Sequence, residues 1–179
     1  MKVRILIFMI LLALHTVSCY IVYGENQIEY VIQIDSDGSA VWIIRETGTN
    51  IIVSPNPLTE LENRIMPLVT VAKNETQRDM SVEVISYKYD RSGSYIMADY
   101  VFLWKNFSKI ENARMVAGDV FQVEDFFLQL YGDGEIYITY PSEYIVENVL
   151  PAPYERDDSL QTLRWLGTRD FANGQPIAV

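Results

Sequence analysis

Cysteine and histidine are almost absent from this chain, which has one of each among its 179 residues. Both lie near the N-terminus, at His15 and Cys19, so residues 25–179 contain neither an imidazole nor a thiol. A histidine general base, a cysteine nucleophile and a zinc site built on either ligand are therefore excluded from that part. A disulfide is excluded as well, so its fold must rest on packing and hydrogen bonds.

Positive charge is also scarce. The chain has 14 Lys and Arg against 24 Asp and Glu. Because Lys2 and Arg4 are two of those 14, residues 25–179 keep 12 basic residues against all 24 acidic ones. Such an excess of negative charge repels phosphates, which excludes nucleic acid as a partner and disfavours anionic lipid.

Residues 1–24 have only two charges, Lys2 and Arg4, followed by an apolar run. A basic start, an apolar centre and a small final residue are typical of an export signal. Three outcomes stay open: cleavage after Gly24, retention of about 20 apolar residues as a membrane anchor, or lipidation at Cys19. We expect the protein outside the cytoplasm, extracellular or on the outer face of the cytoplasmic membrane, which it touches only through an uncleaved residues 1–24.

Residues 25–179 have the length of a single domain. Their acidity, their ten tyrosines and their lack of cysteine suit a prokaryotic, and specifically an archaeal, cell envelope. Alternating apolar residues predict strands at 28–34 and 40–45, joined in a hairpin at Asp37 and Gly38. Further strands are predicted at 82–90, 94–107, 126–131, 135–140, 144–150 and 160–166.

One helix is predicted over residues 59–73. Thr59 and Glu62 match a capping box, and Pro67 is expected either to kink the helix or to end its first half. Its apolar face consists of Leu61, Ile65, Leu68, Val69 and Ala72. Many strands with one inserted helix predict an α+β fold, an antiparallel β-sandwich-like domain with the helix on one side.

Six motifs occur in an order and spacing that resemble a family of uncharacterised exported archaeal domains. They are ETQRDM at 75–80, VFLWKNF at 101–107, VAGDVF at 116–121, ITYPSEY at 138–144, LRWLG at 163–167 and FANGQP at 171–176. In longer members a transmembrane helix follows the last motif, often with a cytoplasmic winged-helix domain. The resemblance implies an external, ligand-sensing domain. No second apolar span follows Pro176 in this sequence, so a signalling output is not carried over.

Several acidic clusters are candidates for catalytic or metal sites. The DSDGS segment at 35–39 resembles the start of a calcium loop but lacks the later ligands, so a hairpin turn is predicted there and at 132–135. The adjacent acids at 124–125 and 157–158 would point to opposite sides of a strand, which is poor geometry for glycoside hydrolysis. The sequence therefore predicts no catalytic, cofactor or metal residues.

Four residues are candidates for surface roles. Asn74 and Asn106 begin N-glycosylation sequons, and Asn74, at the end of the helix, is the better candidate. Gly118 and Asp119 lie in an aromatic and acidic segment that is predicted to be a binding loop. Trp42, Trp104 and Trp165 are predicted to lie in the core, although a sugar-stacking surface is the alternative.

The sequence favours a non-enzymatic binding or sensing domain at the cell envelope. Its partners would be membrane or envelope proteins or an extracellular ligand. Two alternatives stay open: a structural component of an envelope or surface assembly, and a secreted glycan hydrolase that uses carboxylates.

Overall fold

The computed structural model of the chain describes residues 26–171 and 177–178. The predicted export segment, with its cleavage, anchor and lipidation alternatives, lies outside the described residues. Within those ranges, no helix has the length and apolar character needed to cross a membrane.

Strands dominate the described residues. They are β1 (Gln27–Ile34), β2 (Ala40–Gly48), β3 (Ser81–Ser92), β4 (Tyr95–Lys105), β5 (Lys109–Glu111), β6 (Arg114–Ala117), β7 (Glu135–Thr139), β8 (Asn148–Val149), β9 (Glu155–Asp157), β10 (Thr162–Trp165) and β11 (Ile177–Ala178). The helices are α1 (Pro57–Thr76) and α2 (Phe126–Leu130), with 3-10 turns η1 (Asp119–Gln122) and η2 (Thr168–Phe171). The prediction of a β-rich α+β fold with one main helix is confirmed.

The larger sheet has seven strands in the order β3-β4-β2-β1-β7-β10-β9, and a smaller one has the order β5-β6-β11-β8. In the larger sheet β1 and β7 run parallel, and the other neighbours run antiparallel. The sheet is therefore mixed, whereas antiparallel sheets were predicted. Alternation within a strand reveals its buried face but not the direction of its partner.

Helix α1 covers one face of the large sheet, here called the inner face. The predicted apolar face of the helix is buried there, as expected. The predicted capping box is wrong, because Asn56 is the N-cap, with Pro57 in the first turn, and no side chain caps the helix. Pro67 lies inside the helix, on its exposed side, and does not end it.

Two predicted strands are wrong. Residues 126–131 form α2 instead, preceded by Asp125 at φ 53°. Phe126, Phe127 and Leu130 are all buried, and a short apolar run of this kind fits a helix as well as a strand. The hairpin predicted across residues 132–134 is therefore absent. The strand predicted at 144–150 is reduced to β8.

Aromatic side chains fill the core between the inner face, α1 and α2. Trp42, Trp104 and Trp165 are completely buried, which confirms the core prediction. The centre of the Trp42 ring lies 6.0 Å from the ring centre of Trp104 and 5.5 Å from that of Phe102. Large apolar rings thus supply the packing that a chain without a disulfide requires.

Candidate functional site

The predicted binding loop is held by a structural ion pair. Gly118, at φ 84°, precedes η1, and Asp119 accepts a 2.7 Å hydrogen bond from Arg78 Nη2. The same nitrogen donates to the Phe107 carbonyl oxygen at 2.8 Å. Arg78 therefore ties the end of α1 to this loop, and the Asp119 carboxylate is engaged within the fold.

The two sequons differ in their surroundings. Asn74 is exposed in the last turn of α1. Asn106 is exposed too, but its Nδ2 donates to the Asp79 carbonyl oxygen at 2.7 Å. Ser108, the hydroxyl residue of that second sequon, is buried. The amide and the hydroxyl of the first sequon are thus the more accessible pair.

In two of the acidic clusters, at 35–39 and 157–158, the carboxylates accept hydrogen bonds from nearby residues. Asp37 Oδ1 accepts from the Ser39 backbone N–H at 2.8 Å in the predicted turn, where Gly38 has φ 81°. Asp157 accepts from the Ser159 backbone N–H at 2.9 Å, and Asp158 accepts from an arginine. In the ranges that the structure describes, no three acidic side chains are grouped so as to hold a metal ion.

The other face of the large sheet, here called the outer face, carries a row of charges across all seven strands. Strand pairing places each of these side chains opposite the next, except that Arg164 lies opposite Tyr137 and contacts Glu135 two residues away. We call this row the charge ladder; in sheet order it consists of Lys88, Asp99, Arg45, Glu29, Glu135, Arg164 and Glu155.

Arg45 organises one half of the charge ladder. Its Nε and Nη2 donate to the two oxygens of Asp99 at 2.8 and 3.2 Å. The Asp99 side chain is only 3 % exposed, so this bidentate contact compensates a buried charge. Glu29 lies farther away, with its Oε1 3.9 Å from Arg45 Nη1.

Arg164 organises the other half. Its Nη2 lies 2.9 Å from Glu135 and its Nη1 lies 3.3 Å from Glu155. The Tyr137 hydroxyl also donates to Glu135, at 2.8 Å, and the Arg164 guanidinium lies 5.3 Å from the centre of the Tyr137 ring. Burial, together with that hydrogen bond, raises the pKa of Tyr137.

The alternation of sign fails at one point, where β1 meets β7. Glu29 and Glu135 are direct neighbours in the parallel register, and neighbouring strands are only about 4.8 Å apart. Burial raises the pKa of Glu29; the charge of Arg45 opposes this, and that of Glu135 adds to it. The register thus makes two carboxylates neighbours on a partly buried surface, and each of them pairs with a different arginine.

An apolar row lies next to the charge ladder. Val31, Ile43 and Val101 form a separate buried cluster on the outer face, against which Val41 and Tyr137 pack. In the described part of the chain, no helix contributes to this cluster. The outer face thus combines an apolar row with a paired carboxylate site.

A second polar cluster lies on the inner face around Glu46. The rings of Tyr87, Tyr100 and Tyr131 follow one another at centroid distances of 5.0 Å. Arg64 lies 4.8 Å from the Tyr131 ring centre and donates to the Leu130 carbonyl oxygen. Arg64 therefore occupies the position that a cationic ligand would take over this ring.

A cavity of about 440 Å³ lies between β6 and residues 143–148. Arg114 and Glu147 line it and form an ion pair, 2.5 Å from nitrogen to oxygen. Both side chains are largely exposed. The cavity is thus an open surface feature whose charged groups satisfy each other.

Sequence reasoning missed Glu29 and Glu135 as a pair. Glu29 was a polar position of an alternating strand, and Glu135 belonged to a predicted turn. Each of these patterns describes one segment of the chain and says nothing about which strand lies beside it. Their proximity depends on the parallel pairing of β1 with β7, which no periodicity in either segment reveals.

The chain matches a known protein family. The model of a family described as a domain of unknown function, DUF7345, matches residues 54–144, which is half of the chain. The matched segment includes α1 and the strands that carry Lys88, Asp99 and Glu135. No curated protein matches the chain.

Proposed function

The chain belongs to the DUF7345 family, and from that premise we propose that it is a non-enzymatic binding or sensing domain outside the cytoplasm. Its ligand is a basic segment of an envelope protein, and its binding surface is the outer face of the large sheet. The observation that carries the proposal is the pair of carboxylates, Glu29 and Glu135, at the one break in the charge ladder.

A cation between these two carboxylates would continue the alternation of charge. Arg45 uses its two short hydrogen bonds on Asp99, and Arg164 divides its contacts between Glu135 and Glu155 and acts on Glu29 only through its charge at longer range. Neither arginine therefore neutralises both members of the pair. A lysine or arginine side chain of a partner would supply the charge, and partial burial would strengthen that contact relative to one in bulk water.

The apolar row supports a protein segment rather than a free ion. Val31, Ile43 and Val101 lie two residues farther along their strands than Glu29, Arg45 and Asp99, on the same face of the sheet. These three side chains are almost fully buried, so a partner that places a basic residue on the carboxylates would meet apolar surface on Val41 and Tyr137, which are partly buried and pack against the row. Interfaces commonly combine an apolar centre with charges that fix orientation.

The same two carboxylates also suit a glycan hydrolase, which needs an acid and a base. Binding is favoured here because each carboxylate contacts an arginine and both lie on one sheet face beside an apolar row. A hydrolase would instead hold its two carboxyl groups on either side of a bound sugar.

The location follows from the N-terminal sequence. We place the domain outside the cytoplasm because residues 1–24 have the composition of an export signal or anchor. The resemblance to exported archaeal domains supports an archaeal envelope, where longer relatives would join such a domain to a membrane regulator. The finer arrangement as a sandwich-like domain behind an N-terminal apolar helix also belongs to this proposal.

The test is calorimetric titration of the full chain with a peptide rich in lysine and arginine. We expect binding that weakens about tenfold in the double variant Glu29→Gln/Glu135→Gln, equivalent to about 1.4 kcal/mol. Because burial raises the pKa of Glu29, affinity should begin to fall at a higher pH than for an ordinary glutamate as the solution is acidified.

A matched control separates the site from the overall charge. Glu124→Gln/Glu143→Gln changes the net charge by the same amount at two exposed positions away from the ladder. This control should bind the peptide as the unmodified chain does. Equal loss in both double variants, or no binding by the unmodified chain, contradicts the proposal.

A further inference from the structure

Strand β3 is a long unpaired edge. It has 12 residues, and among the described strands it pairs only with β4. The opposite edge of the sheet, β9, has only three residues. An edge strand keeps a row of backbone N–H and C=O groups available for another strand. On β3 this row is about 40 Å long, at about 3.3 Å per residue.

A bulge at Ile85 changes which residues of β3 face inward. Val84 pairs with Phe102 of the inner face, whereas Ser86 pairs with Val101 of the outer face. Inward positions are therefore even-numbered before the bulge and odd-numbered after it. Ile85 itself is 41 % exposed, an unusual position for an isoleucine on a free edge.

This change makes the strand complementary to itself. If two copies of β3 run antiparallel about a two-fold axis at the bulge, Val84 lies opposite Tyr87 of the partner subunit, and both face inward. Glu83 then lies opposite Lys88 of the partner subunit, and both face outward. The symmetry repeats each contact, giving two ion pairs that flank two exposed isoleucines.

We propose that a second copy of this chain binds antiparallel along β3, joining two seven-stranded sheets into one continuous sheet. The partner is a second copy of the chain because a two-fold rotation of β3 places inward residues opposite inward residues and Glu83 opposite Lys88. A bulge and a lysine on an edge normally discourage pairing. Here the axis brings the two bulges together and gives each lysine a glutamate.

The dimer would also extend the charge ladder. Lys88, its last member, already lies opposite Asp99 on β4. In the dimer Lys88 would lie between Asp99 and Glu83 of the partner subunit, so the alternation of charge would continue across the interface. The two carboxylate sites at Glu29 and Glu135 would then lie on one extended face.

Sedimentation velocity of the full chain over a dilution series tests the proposal. We expect a concentration-dependent dimer. Ile85→Lys brings two like charges together at the axis, and Glu83→Lys opposes Lys88 of the partner subunit. Each should raise the dissociation constant by at least about tenfold, because juxtaposed like charges are strongly unfavourable. The exchange variant Glu83→Lys/Lys88→Glu should restore most of the association.

The control is Leu160→Lys, which replaces another exposed apolar residue far from β3 in sequence. It should associate like the unmodified chain. Association through residues 1–24 would be common to all variants, so the differences isolate β3. Circular dichroism verifies that each variant is folded. A chain that stays monomeric, or a dimer that Ile85→Lys and Glu83→Lys leave unchanged, overturns the proposal. The sedimentation result does not depend on whether the basic peptide of the preceding section binds, so the two proposals can fail separately.

Discussion

Glu46 lies half-buried at the end of β2, beside the rings of Tyr100 and Tyr131. Burial raises its pKa above the ordinary value of 4.5, more than the hydrogen bond with Tyr100 and the charge of Arg64 lower it. The folded state therefore favours the neutral carboxyl. The stability that this preference gives is present below the ordinary pKa and is lost as the pH rises through the raised one.

Replacing Glu46 with Gln should therefore stabilise the protein at neutral pH. Gln keeps an oxygen acceptor but needs no ionisation, so we expect a melting temperature higher by roughly 1–3 °C at pH 7. The difference should vanish below pH 4. Thermal unfolding followed by circular dichroism measures both, with Glu62→Gln, at an exposed position of α1, as the control. A lower melting temperature at pH 7 would mean that Arg64 and Tyr100 stabilise the carboxylate more than burial disfavours it.

At the scale of elements, α1 shows how packing overrides local preference. Pro67 lacks an N–H to donate to the Asn63 carbonyl, and its ring crowds that turn. The helix nevertheless continues to Thr76, because Leu68, Val69 and Ala72 beyond the proline are buried in the core. The apolar periodicity predicted the helix and its buried face correctly. The proline and the capping pattern did not predict where the helix begins and ends.

Pro67→Ala should stabilise α1 and with it the protein. Restoring the hydrogen bond should stabilise the folded state by up to about 3 kcal/mol. Removing the proline also makes the unfolded chain more flexible, which lowers the stability by up to about 1 kcal/mol. We expect a net gain of about 1–2 kcal/mol in the free energy of unfolding, measured by urea denaturation. Asn63→Ala, at another exposed site on the helix, should change it by less. A loss of stability in Pro67→Ala would show that the helix depends on a bend at this residue.

At the scale of the whole molecule, the proposed location outside the cytoplasm would have a chemical consequence at the sequons. Asn74 is exposed in the last turn of α1, which leaves its side-chain amide accessible in the folded protein. The Asn106 amide is bonded to Asp79, and the hydroxyl of Ser108 is buried. The fold therefore distinguishes two sequons that the sequence presents as similar.

If the exporting cell N-glycosylates its proteins, the intact mass should reveal a glycan that Asn74→Gln removes. Asn106→Gln should leave the mass increment unchanged, because folding shields its sequon. Loss of mass in Asn106→Gln would instead mean that modification precedes folding of that segment. An unmodified mass for the exported chain would contradict the assignment of Asn74.

The sequence alone determined what local patterns can encode. The alternation of apolar residues predicted strand β4 with its buried tryptophan, and the helical period predicted the buried face of α1. The composition excluded disulfides and histidine chemistry from residues 25–179. Only the tertiary structure decided that β7 lies parallel to β1, that residues 126–130 are helical, and that Glu29 meets Glu135. The reason is physical: a side chain's periodicity depends on its own backbone, whereas strand partners are selected by the packing of segments distant in the chain.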